Sequence, residues 1–527
     1  MSGKIKIKRA LVSVYDKSGL VEFARALEKF DIEILSTGGT LAALKKEEIQ
    51  AVSVSTFTGA PEILGGRVKT LHPKIHAGIL YRRDNEDDTA EMTHQEYKPI
   101  DMVVVNLYPF EETVARAGVT EAEIIENIDI GGPSMLRAAA KNFTGVVVVA
   151  DPKDYPRIIE ALENNDGAVD LDLRRELAGR AFSRTNQYDR AIADYFVSGK
   201  TKPAGEAADE FPPQLDYSFK LKSALRYGEN PHQKGAFYAD ESFTGPSLSR
   251  AEVLSGKPLS YNNIADLDAT LDMLLDFDEP FAAVIKHANP CGAAVGATIA
   301  DAYRDALASD PLSAFGSIIG LNKQVDMACA ELLHKTHFVE CIVAPGFDDD
   351  ALAMLKKKKS RRLLVLPEIA KGRPKDEMVF KYVRGGILYQ DADDIETEAA
   401  SLTTPTKRRA TDEEIKSLLF AWKMVKHTKS NAIVIVKGTA TVGIGMGQTS
   451  RVDSSALAVK RAGYRAKGAV LASDAFFPMP DGIEVATDAG VTAIIQPGGS
   501  KGDPQAIEAA DKADVAMVFT GVRHFKH

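Results

Sequence analysis

Short apolar runs alternate along the chain with stretches in which hydrophobic residues recur at helical spacing. Several of the runs are rich in Val and Ile, as strands of a parallel sheet covered on both faces usually are. They lie at 10–15, 32–37, 51–56, 102–107 and 145–150. Because helical stretches separate most of these runs, the pattern predicts an α/β domain with a mainly parallel sheet.

A segment without hydrophobic periodicity follows a predicted helix at 172–197. Its sequence, TKPAGEAADEFPPQ, is rich in Pro, Ala and acidic residues and is typical of a linker. We therefore predict a first domain at 1–199, a linker at 200–216 and a second α/β domain at 217–527. In the second domain, the strand candidates AAVIKHA and AIVIVKG have polar residues near their ends, which favours two similar subdomains.

Composition excludes several classes of protein. The 527 residues carry a net charge of -9, which argues against a protein that binds duplex nucleic acid through a strongly basic face. No apolar run approaches the roughly 18 residues that span a bilayer, and the N-terminal run is too short for a signal peptide. We predict a cytosolic protein without membrane contact. Its three cysteines form no CxxC pair and are expected to be buried thiols.

Two turns near the N-terminus have the composition of a phosphate site. The segments VSVYDKSG at 12–19 and STGGT at 36–40 each place small and hydroxyl residues between a strand and a helix, and Lys17 adds a charge. Free amide groups and the helix dipole favour an anion at such a position. One such turn alone is better interpreted as a helix cap, but two on adjacent strands favour a phosphate pocket.

The segment GGRVKTLHPKIHAGIL at 65–80 supplies further basic residues. Arg67, Lys69 and Thr70 follow two glycines, and a solvated basic loop is the alternative interpretation. His72 and His76 have the spacing of a helical metal pair. Pro73 fits poorly into such a helix and no third ligand is evident, so no metal is expected.

Two further segments carry groups that can move protons. NLYPF at 106–110 places Asn106 and Tyr108 at a strand end, where ligands bind in open α/β sheets. In IDIGGPSMLRAAAKN at 128–142, Asp129 precedes Gly131, and Lys141 lies on or beyond the following helix. These side chains either form an internal hydrogen-bonded group or, beside a phosphate site, act as acids and bases.

The second domain contains a Lys-His pair in IKHANPCG at 285–292. Adjacent strand residues point to opposite faces, so Lys286 and His287 can share a ligand only where the strand ends, as Asn289-Pro290 indicates. A lone histidine after a strand is more often structural than catalytic, whereas this pair before a strand breaker favours catalysis. Asn431 and the glycine-rich GIGMGQTSR at 443–451 resemble a second arm of the same pocket.

Several familiar signatures are missing. GIGMGQ lacks the GxGxxG spacing, GKT at 199–201 lacks the upstream glycine of a phosphate-binding Walker loop, and neither HExxH nor GxSxG occurs. We therefore expect no ATP, NAD or catalytic metal. The residues favour acid-base and electrostatic chemistry on a phosphorylated small molecule.

Taken in order, these segments closely resemble one purine-biosynthesis family along nearly the whole chain. The motifs are SVYDKSG, GGRVKTLHP, NLYPF, IDIGG, RAAAKN, LRYGENPHQ, KHANPCG, SDAFFP and RHFKH. The family joins aminoimidazole carboxamide ribonucleotide (AICAR) formyltransferase to inosine monophosphate (IMP) cyclohydrolase. The resemblance implies a methylglyoxal-synthase-like N-terminal domain and a C-terminal domain of two cytidine-deaminase-like subdomains without zinc ligands.

The resemblance also implies the reactions and their residues. The N-terminal domain would close the formylated product (FAICAR) to IMP with loss of water. Its proton-transfer set would be Lys69, Tyr108, Asp129 and Lys141, with Lys69 on the oxyanion. The 5′-phosphate would lie against Ser13, Lys17, Thr37, Gly39, Thr40, Arg67 and Thr70, and Asn106 and Gly131 are further candidates for substrate contact.

The C-terminal domain would transfer a formyl group from 10-formyltetrahydrofolate to the 5-amino group of AICAR. His287 would be the base, with Lys286 and Asn431 stabilising the oxyanion or the leaving group. The nucleotide would contact Arg226, Tyr227, Asn262, Arg523 and Phe525. The folate would lie near Arg451, Phe476 and Phe477. The family further implies a homodimer with formyltransferase sites at the subunit interface.

Two residues depart from the family pattern, and two other functions remain open. Tyr15 replaces a small hydroxyl residue in the first phosphate turn, and Ser317 replaces an acid found in some members. One alternative is a non-catalytic phosphometabolite sensor, which would not require the proton-moving residues. The other is an enzyme that has kept only one of the two activities.

Overall fold

A computed structural model describes residues 3–116, 118–197, 211, 214–215 and 217–527 of the chain. The chain forms two compact units, Met1–Pro212 and Pro213–His527. Their division falls within the predicted linker at 200–216, most of which lies outside the described residues.

The first unit contains a five-stranded, entirely parallel sheet. The strands of the unit are β1 (Ile5–Lys6), β2 (Arg9–Val14), β3 (Glu33–Ser36), β4 (Val52–Ser53), β5 (Met102–Asn106), β6 (Val147–Val149) and β7 (Ala168–Val169). The sheet order is β4-β3-β2-β5-β6, and β1 pairs separately with β7. β2 is central and pairs in parallel with β3 and β5, so the carboxyl ends of these three strands meet at one edge.

Helices of the first unit cover its sheet. They are α1 (Leu20–Glu28), α2 (Gly38–Lys46), α3 (Val54–Thr58), α4 (Pro73–Leu80), α5 (Glu86–His94), α6 (Phe110–Ala115), α7 (Glu121–Glu126), α8 (Gly131–Lys141), α9 (Tyr155–Asn164) and α10 (Leu171–Val197). The Val-rich strands β2, β5 and β6 pack with α1, α8 and α10 in one hydrophobic core. The parallel sheet and the helix predicted at 172–197 are therefore confirmed.

One predicted strand of this unit is wrong. The run at 51–56 is a strand only at Val52–Ser53, and its remainder enters α3. Ser53 caps this helix, because its hydroxyl accepts a hydrogen bond from the amide of Thr56 at 3.0 Å. A Ser with free amides ahead of it favours a helix start over continued extension.

The second unit contains an eleven-stranded mixed sheet and two separate hairpins. Its strands are β8 (Phe219–Leu225), β9 (Gly235–Asp240), β10 (Glu252–Ser255), β11 (Phe281–Lys286), β12 (Asn289–Val295), β13 (Ser317–Leu321), β14 (Val339–Ala344), β15 (Arg362–Val365), β16 (Met378–Val383), β17 (Gly386–Asp391), β18 (Ile433–Lys437), β19 (Ala440–Gly445), β20 (Val470–Ser473), β21 (Ala493–Gln496) and β22 (Ala516–Phe519). The large sheet has the order β10-β15-β14-β13-β11-β12-β19-β18-β20-β21-β22, and the hairpins are β8-β9 and β16-β17.

Two halves of the large sheet repeat the same arrangement. The helices of this unit are α11 (Tyr261–Leu274), α12 (Ile299–Ser309), α13 (Met327–Lys335), α14 (Asp349–Leu355), α15 (Asp412–Lys426), α16 (Arg451–Ala462), α17 (Asp481–Asp488) and α18 (Asp503–Lys512). In each half a helix leads into an antiparallel hairpin and then into two further parallel strand pairs. β12 and β19 join the halves in antiparallel fashion. The prediction of two similar subdomains is confirmed.

The core of the second unit reflects this repeat. α11 and α15 cover one face of the sheet and share a single core that includes Leu271 and Trp422. On the other face each half has its own core, around Tyr303 in the first half and Phe477 in the second. All three cysteines are free and buried. None of the described helices combines the length and the hydrophobicity of a membrane-spanning helix.

Candidate active sites

A cavity of about 670 Å³ opens at the carboxyl edge of the parallel sheet in the first unit. The ends of β2, β3 and β5 meet there with the first turns of α2 and α8. Those first turns have amide groups without intrahelical partners, which favour a bound anion. The predicted residues that line the cavity are Ser13, Lys17, Thr37, Gly39, Thr40, Arg67, Lys69, Thr70, Asn106, Tyr108, Asp129 and Gly131.

The first turn of α2 has the form of a phosphate cradle. A Cβ added to Gly39 would lie 3.9 Å from Lys17 Nζ, so the missing side chain leaves room beside the ammonium group. Thr40 joins this turn to β2, since its hydroxyl contacts both the amide and the carbonyl of Val14, at 3.0 and 2.9 Å. The hydroxyl of Thr37 donates to Glu62 Oε1 at 2.8 Å. Glu62 was not predicted from the sequence.

A second carboxylate that was not predicted from the sequence, Glu126, contacts Arg67 at the cavity. Arg67 forms an ion pair with Glu126 at the end of α7, and both side chains are exposed. The hydrogen bond to Glu126 raises the pKa of Arg67, and the same contact lowers the pKa of Glu126. An anionic ligand that binds Arg67 therefore competes with Glu126.

Asp129 is the most strongly desolvated acid of the cavity. Burial raises its pKa, although the amide of Gly132 and the charge of Lys69 act in the opposite direction. Gly132 N donates to Asp129 Oδ1 at 2.8 Å. A Cβ on Gly132 would lie only 2.3 Å from Asp129 Oδ2, so this close approach requires glycine. A carboxyl group with a raised pKa beside an ammonium group is suited to proton transfer.

Two tyrosines flank the same end of the cavity. The rings of Tyr15 and Tyr108 meet edge to face, with centroids 5.7 Å apart. Asn106 fixes the first turn, since its Oδ1 accepts from the amides of Tyr15 and Asp16 at 2.6 and 2.9 Å. The large side chain of Tyr15 therefore lies in the cavity lining, where the family pattern has a small hydroxyl residue.

Lys141 is not brought together with the other predicted residues. It is exposed at the C-terminal end of α8, whereas Gly131 at the beginning of that helix lines the cavity. Ten residues of helix separate the two positions by about 15 Å. The motif RAAAKN places Lys141 in sequence but gives no information about this distance.

The Lys-His pair of the second unit lies at the tight turn between β11 and β12. His287 is exposed and has a positive φ of 53°, and the amide of Ala288 donates to Asp266 Oδ1 on α11 at 2.7 Å. Lys286 Nζ donates to the carbonyl of Phe315 at 2.9 Å. The turn thus presents the imidazole to solvent, while the ammonium group is held against the turn that precedes β13.

Asn431 lies near this turn because of the antiparallel meeting of the two halves. Asn289 connects them: its Nδ2 donates to His287 O at 2.9 Å, and its Oδ1 accepts from Lys429 N at 3.3 Å. Asn431 Oδ1 accepts from Arg451 Nη2 at 2.8 Å. The sequence indicated Asn289 only as a strand breaker. In the structure its side chain connects the β11-β12 turn to the segment that leads to Asn431.

Two residues predicted near a ligand lie in the protein interior. Arg451 is buried and pairs with Asp474, so it orients Asn431 instead of facing an open surface. Phe477 is 0% exposed and packs in the core of the second half, which corrects its predicted place near a ligand. Its neighbour Phe476 is 39% exposed. Ser317 is also buried, and its hydroxyl has no hydrogen-bond partner.

The predicted nucleotide residues of this unit are exposed, except for Tyr227, which is half-buried. Arg226 stacks over the ring of Tyr227 at 5.7 Å, and Arg523 stacks over Phe525 at 4.3 Å. Asn262 Nδ2 donates to Glu229 O at 3.3 Å, which joins α11 to the turn after β8. Among the described residues, no group of three or more His, Cys, Asp or Glu side chains has the arrangement of a metal site.

Comparison with known proteins identifies the family. The AICARFT/IMPCHase bienzyme family matches residues 139–461, and the MGS-like domain matches residues 19–134. The bifunctional purine biosynthesis protein PurH of Bacillus thuringiensis subsp. konkukian (strain 97-27) is 50% identical over 520 residues, which cover 99% of this chain and 100% of that protein. The chain belongs to the AICARFT/IMPCHase bienzyme family.

A second relative agrees with this membership. PurH of Thermoanaerobacter sp. (strain X514) is 49% identical, with the same coverage of 99% and 100%. The protein in the crystal structure of ForH has 35% sequence identity to this chain. The match covers 36% of this chain and 96% of the ForH chain, with a TM-score of 0.34. The bienzyme formylates AICAR and cyclises the product to IMP in purine biosynthesis. Neither the sensor nor the enzyme with one activity is supported.

Proposed function

We propose that the cavity of the first unit performs the cyclisation and that the β11-β12 turn of the second unit performs the formyl transfer. The observation that carries the first assignment is the cavity itself. Every residue predicted for this step except Lys141 lines it. Two helix N-termini supply amides for the 5′-phosphate, and Lys17 and Arg67 supply positive charge.

In ring closure the carboxamide nitrogen attacks the formyl carbon. The formyl oxygen then leaves as water. Lys69 is assigned to the oxygen that becomes negative, because its ammonium group lies within 4.0 Å of the Cβ positions of both Gly38 and Gly66. Asp129 and Tyr108 are assigned to moving two protons to the departing formyl oxygen, one from the attacking carboxamide nitrogen and one from the formamide nitrogen. The raised pKa of Asp129 supports this role, since its carboxyl group exchanges a proton more readily near neutral pH.

Formyl transfer requires a base for the weakly nucleophilic 5-amino group of AICAR. His287 is assigned to this role because its side chain is exposed at a turn that Asp266 and Asn289 hold in place. Lys286 and Asn431 are assigned to the developing oxyanion and the leaving nitrogen. Arg226, Tyr227, Asn262, Arg523 and Phe525 remain assigned to the nucleotide.

We assign 10-formyltetrahydrofolate as the formyl donor of this folate-dependent step. Phe476 offers an exposed ring for the flat heterocycle of such a donor. Because Phe477 and Arg451 are buried, we assign them to supporting the site and not to touching the folate.

We further propose a cytosolic homodimer. The hairpin β16-β17 supports a second copy of the chain as partner, since apolar side chains are exposed along it, including Phe380, Tyr382 and Leu388. A two-stranded hairpin of this kind is only marginally stable without a covering surface. Sedimentation of the purified chain tests the dimer, and a monomer at micromolar concentration would contradict it.

The assignment of steps to sites is tested by two variants in one assay. AICAR and 10-formyltetrahydrofolate are supplied together, and folate release and IMP formation are followed by absorbance. We expect His287→Ala to abolish folate release but to cyclise preformed FAICAR at the wild-type rate. Lys69→Ala should release folate and accumulate FAICAR. If either variant, still folded, loses both activities, the division into two sites is wrong.

A further inference from the structure

A network of charged side chains lies between α11, α15 and the C-terminal segment, apart from the groups assigned to catalysis. Its members are Asp272, Asp276, Arg373, Lys426, His427 and Lys526. Residues from four separate parts of the sequence thus meet in one place. The mechanism of formyl transfer uses none of them.

His427 is the centre of the network. It follows α15 directly and is buried. Its Nε2 lies 2.7 Å from Asp276 Oδ2, and its Nδ1 lies 3.3 Å from Asp272 Oδ2. The Nε2 contact is a hydrogen bond, whereas Nδ1 lies beside Asp272 without a hydrogen bond to it. The imidazole therefore holds Asp276 directly and is a close neighbour of Asp272.

The two carboxylates are held in the charged form. Burial opposes the ionisation of Asp272 and Asp276, but contact with His427 and with the neighbouring cations lowers the pKa of each below its ordinary value. Arg373 contacts both carboxylates, at 2.6 and 3.0 Å. Asp272 is thereby a fixed negative charge.

That charge holds the C-terminal segment. Lys526 Nζ donates to Asp272 Oδ2 at 3.0 Å. The backbone of Lys526 pairs with Ser430: Lys526 N donates to Ser430 Oγ at 3.1 Å, and Ser430 N donates to Lys526 O at 2.9 Å. Ser430 directly precedes Asn431, and Lys526 directly follows Phe525. One lysine therefore sits between the oxyanion residue and the nucleotide residues.

We propose that His427 and Lys526 are positioning residues for formyl transfer. His427 holds Asp276, and Arg373 links Asp276 to Asp272. Asp272 in turn holds Lys526, and Lys526 holds the segment that carries Arg523 and Phe525 against Asn431. This inference rests on the proposed assignment of formyl transfer to the second unit. We expect the two residues to affect how tightly the nucleotide is bound, since neither of them touches the reacting atoms.

The first test separates binding from chemistry. We expect Lys526→Ala to raise the KM for AICAR about tenfold, as for the loss of a hydrogen bond between charged groups, with kcat changed less than threefold. His427→Gln should act in the same direction. Lys220→Ala is the matched control, because Lys220 pairs with Glu241 in an exposed hairpin of the same unit, and its KM for AICAR should equal that of the wild type.

The second test asks whether the residues act through one another. Lys526→Arg should restore most of the wild-type KM, because arginine keeps the charge opposite Asp272. The double variant His427→Gln/Lys526→Ala should be no worse than Lys526→Ala alone. The single tryptophan provides a spectroscopic signature, since Trp422 lies 4.8 Å from the ring of His524 in the same segment. Its emission should shift in both single variants.

Three results would overturn the inference. They are an unchanged KM for AICAR in Lys526→Ala, additive effects in the double variant, and a loss confined to kcat. Cyclisation of FAICAR, followed in every sample, reports whether the first unit is intact. Failure of the site assignment is distinguishable, because His287→Ala would then retain formyl transfer whatever the network variants do.

Discussion

Gly132 N donates a hydrogen bond of 2.8 Å to Asp129 Oδ1 at the beginning of α8. The contact places a partly buried carboxylate at the positive end of a helix and beside Lys69. These two influences favour the ionised form, yet burial outweighs them and the pKa of Asp129 is raised. The protein thus keeps an acid in a place where its charge is unfavourable, as active sites often do.

Replacing Asp129 should weaken the enzyme and stabilise the protein. We expect Asp129→Asn to slow cyclisation about 10²- to 10⁴-fold, as for the loss of a general acid-base group, while asparagine keeps the contact to Gly132. IMP formation from FAICAR measures the loss. Asp151→Asn is a matched control, since Asp151 caps a short helix of the same unit outside the cavity.

The stability effect of this variant has a defined pH dependence. Because the pKa of Asp129 is raised on folding, its ionised form costs stability, and that cost disappears as the pH falls through the raised pKa. Calorimetry at about pH 8 should show a higher Tm for Asp129→Asn than for the wild type, with a smaller difference at about pH 5. A lower Tm at pH 8 would contradict the assigned direction.

Neighbouring phenylalanines should respond in opposite ways. Phe477→Ala removes a fully buried ring and should cost about 3–5 kcal/mol of unfolding free energy, measured in urea by the fluorescence of Trp422. Phe476→Ala should cost little stability but raise the KM for the folate. Equal stability of the two variants would mean that Phe477 is not a core residue.

Removing the charge of Glu126 should tighten substrate binding. Glu126 competes with the phosphate for Arg67, so Glu126→Gln should lower the KM for FAICAR by about two- to threefold, a small effect because both charges are exposed to solvent. The difference should shrink in high salt because exposed charges are screened. An increased KM would show instead that Glu126 holds Arg67 in its binding orientation.

Breaking the buried ion pair of the second unit should destabilise that unit. Arg451→Met leaves Asp474 buried without its charged partner and should cost about 3–5 kcal/mol, again measured by Trp422 fluorescence in urea. The double variant Arg451→Met/Asp474→Asn should recover part of this loss. Cyclisation by the first unit should be unaffected in both, and a loss of cyclisation would mean that the change is not local.

The sequence predicts the elements better than it predicts which side chains face a ligand. Val-rich runs became strands, and helical spacing at 172–197 became α10, because burial on one or both faces imposes these periods. Phe476 and Phe477 carry the same side chain, and only the packing of the second half decides which one is exposed. Near Val54, a local cap outweighed the apolar pattern that had favoured a strand.

Contacts between distant segments could not be predicted from sequence motifs. Asp272 and Lys526 are 254 residues apart, and nothing in the surroundings of either residue predicts their meeting. Glu62 and Glu126 were not predicted either. The negative charge of a phosphate predicts basic residues around it and gives no reason to expect an acid. The antiparallel junction of β12 and β19 is what brings Asn289 to Lys429.

The repeated half-sheet has an evolutionary consequence. Matching order and direction in both halves are what a duplicated ancestral gene segment produces. The β11-β12 turn carries Lys286 and His287, whereas the corresponding β18-β19 turn carries Lys437 and Gly438. The Lys-His pair therefore occurs in one copy only, so two copies with the same backbone arrangement differ in the side chains at equivalent turns.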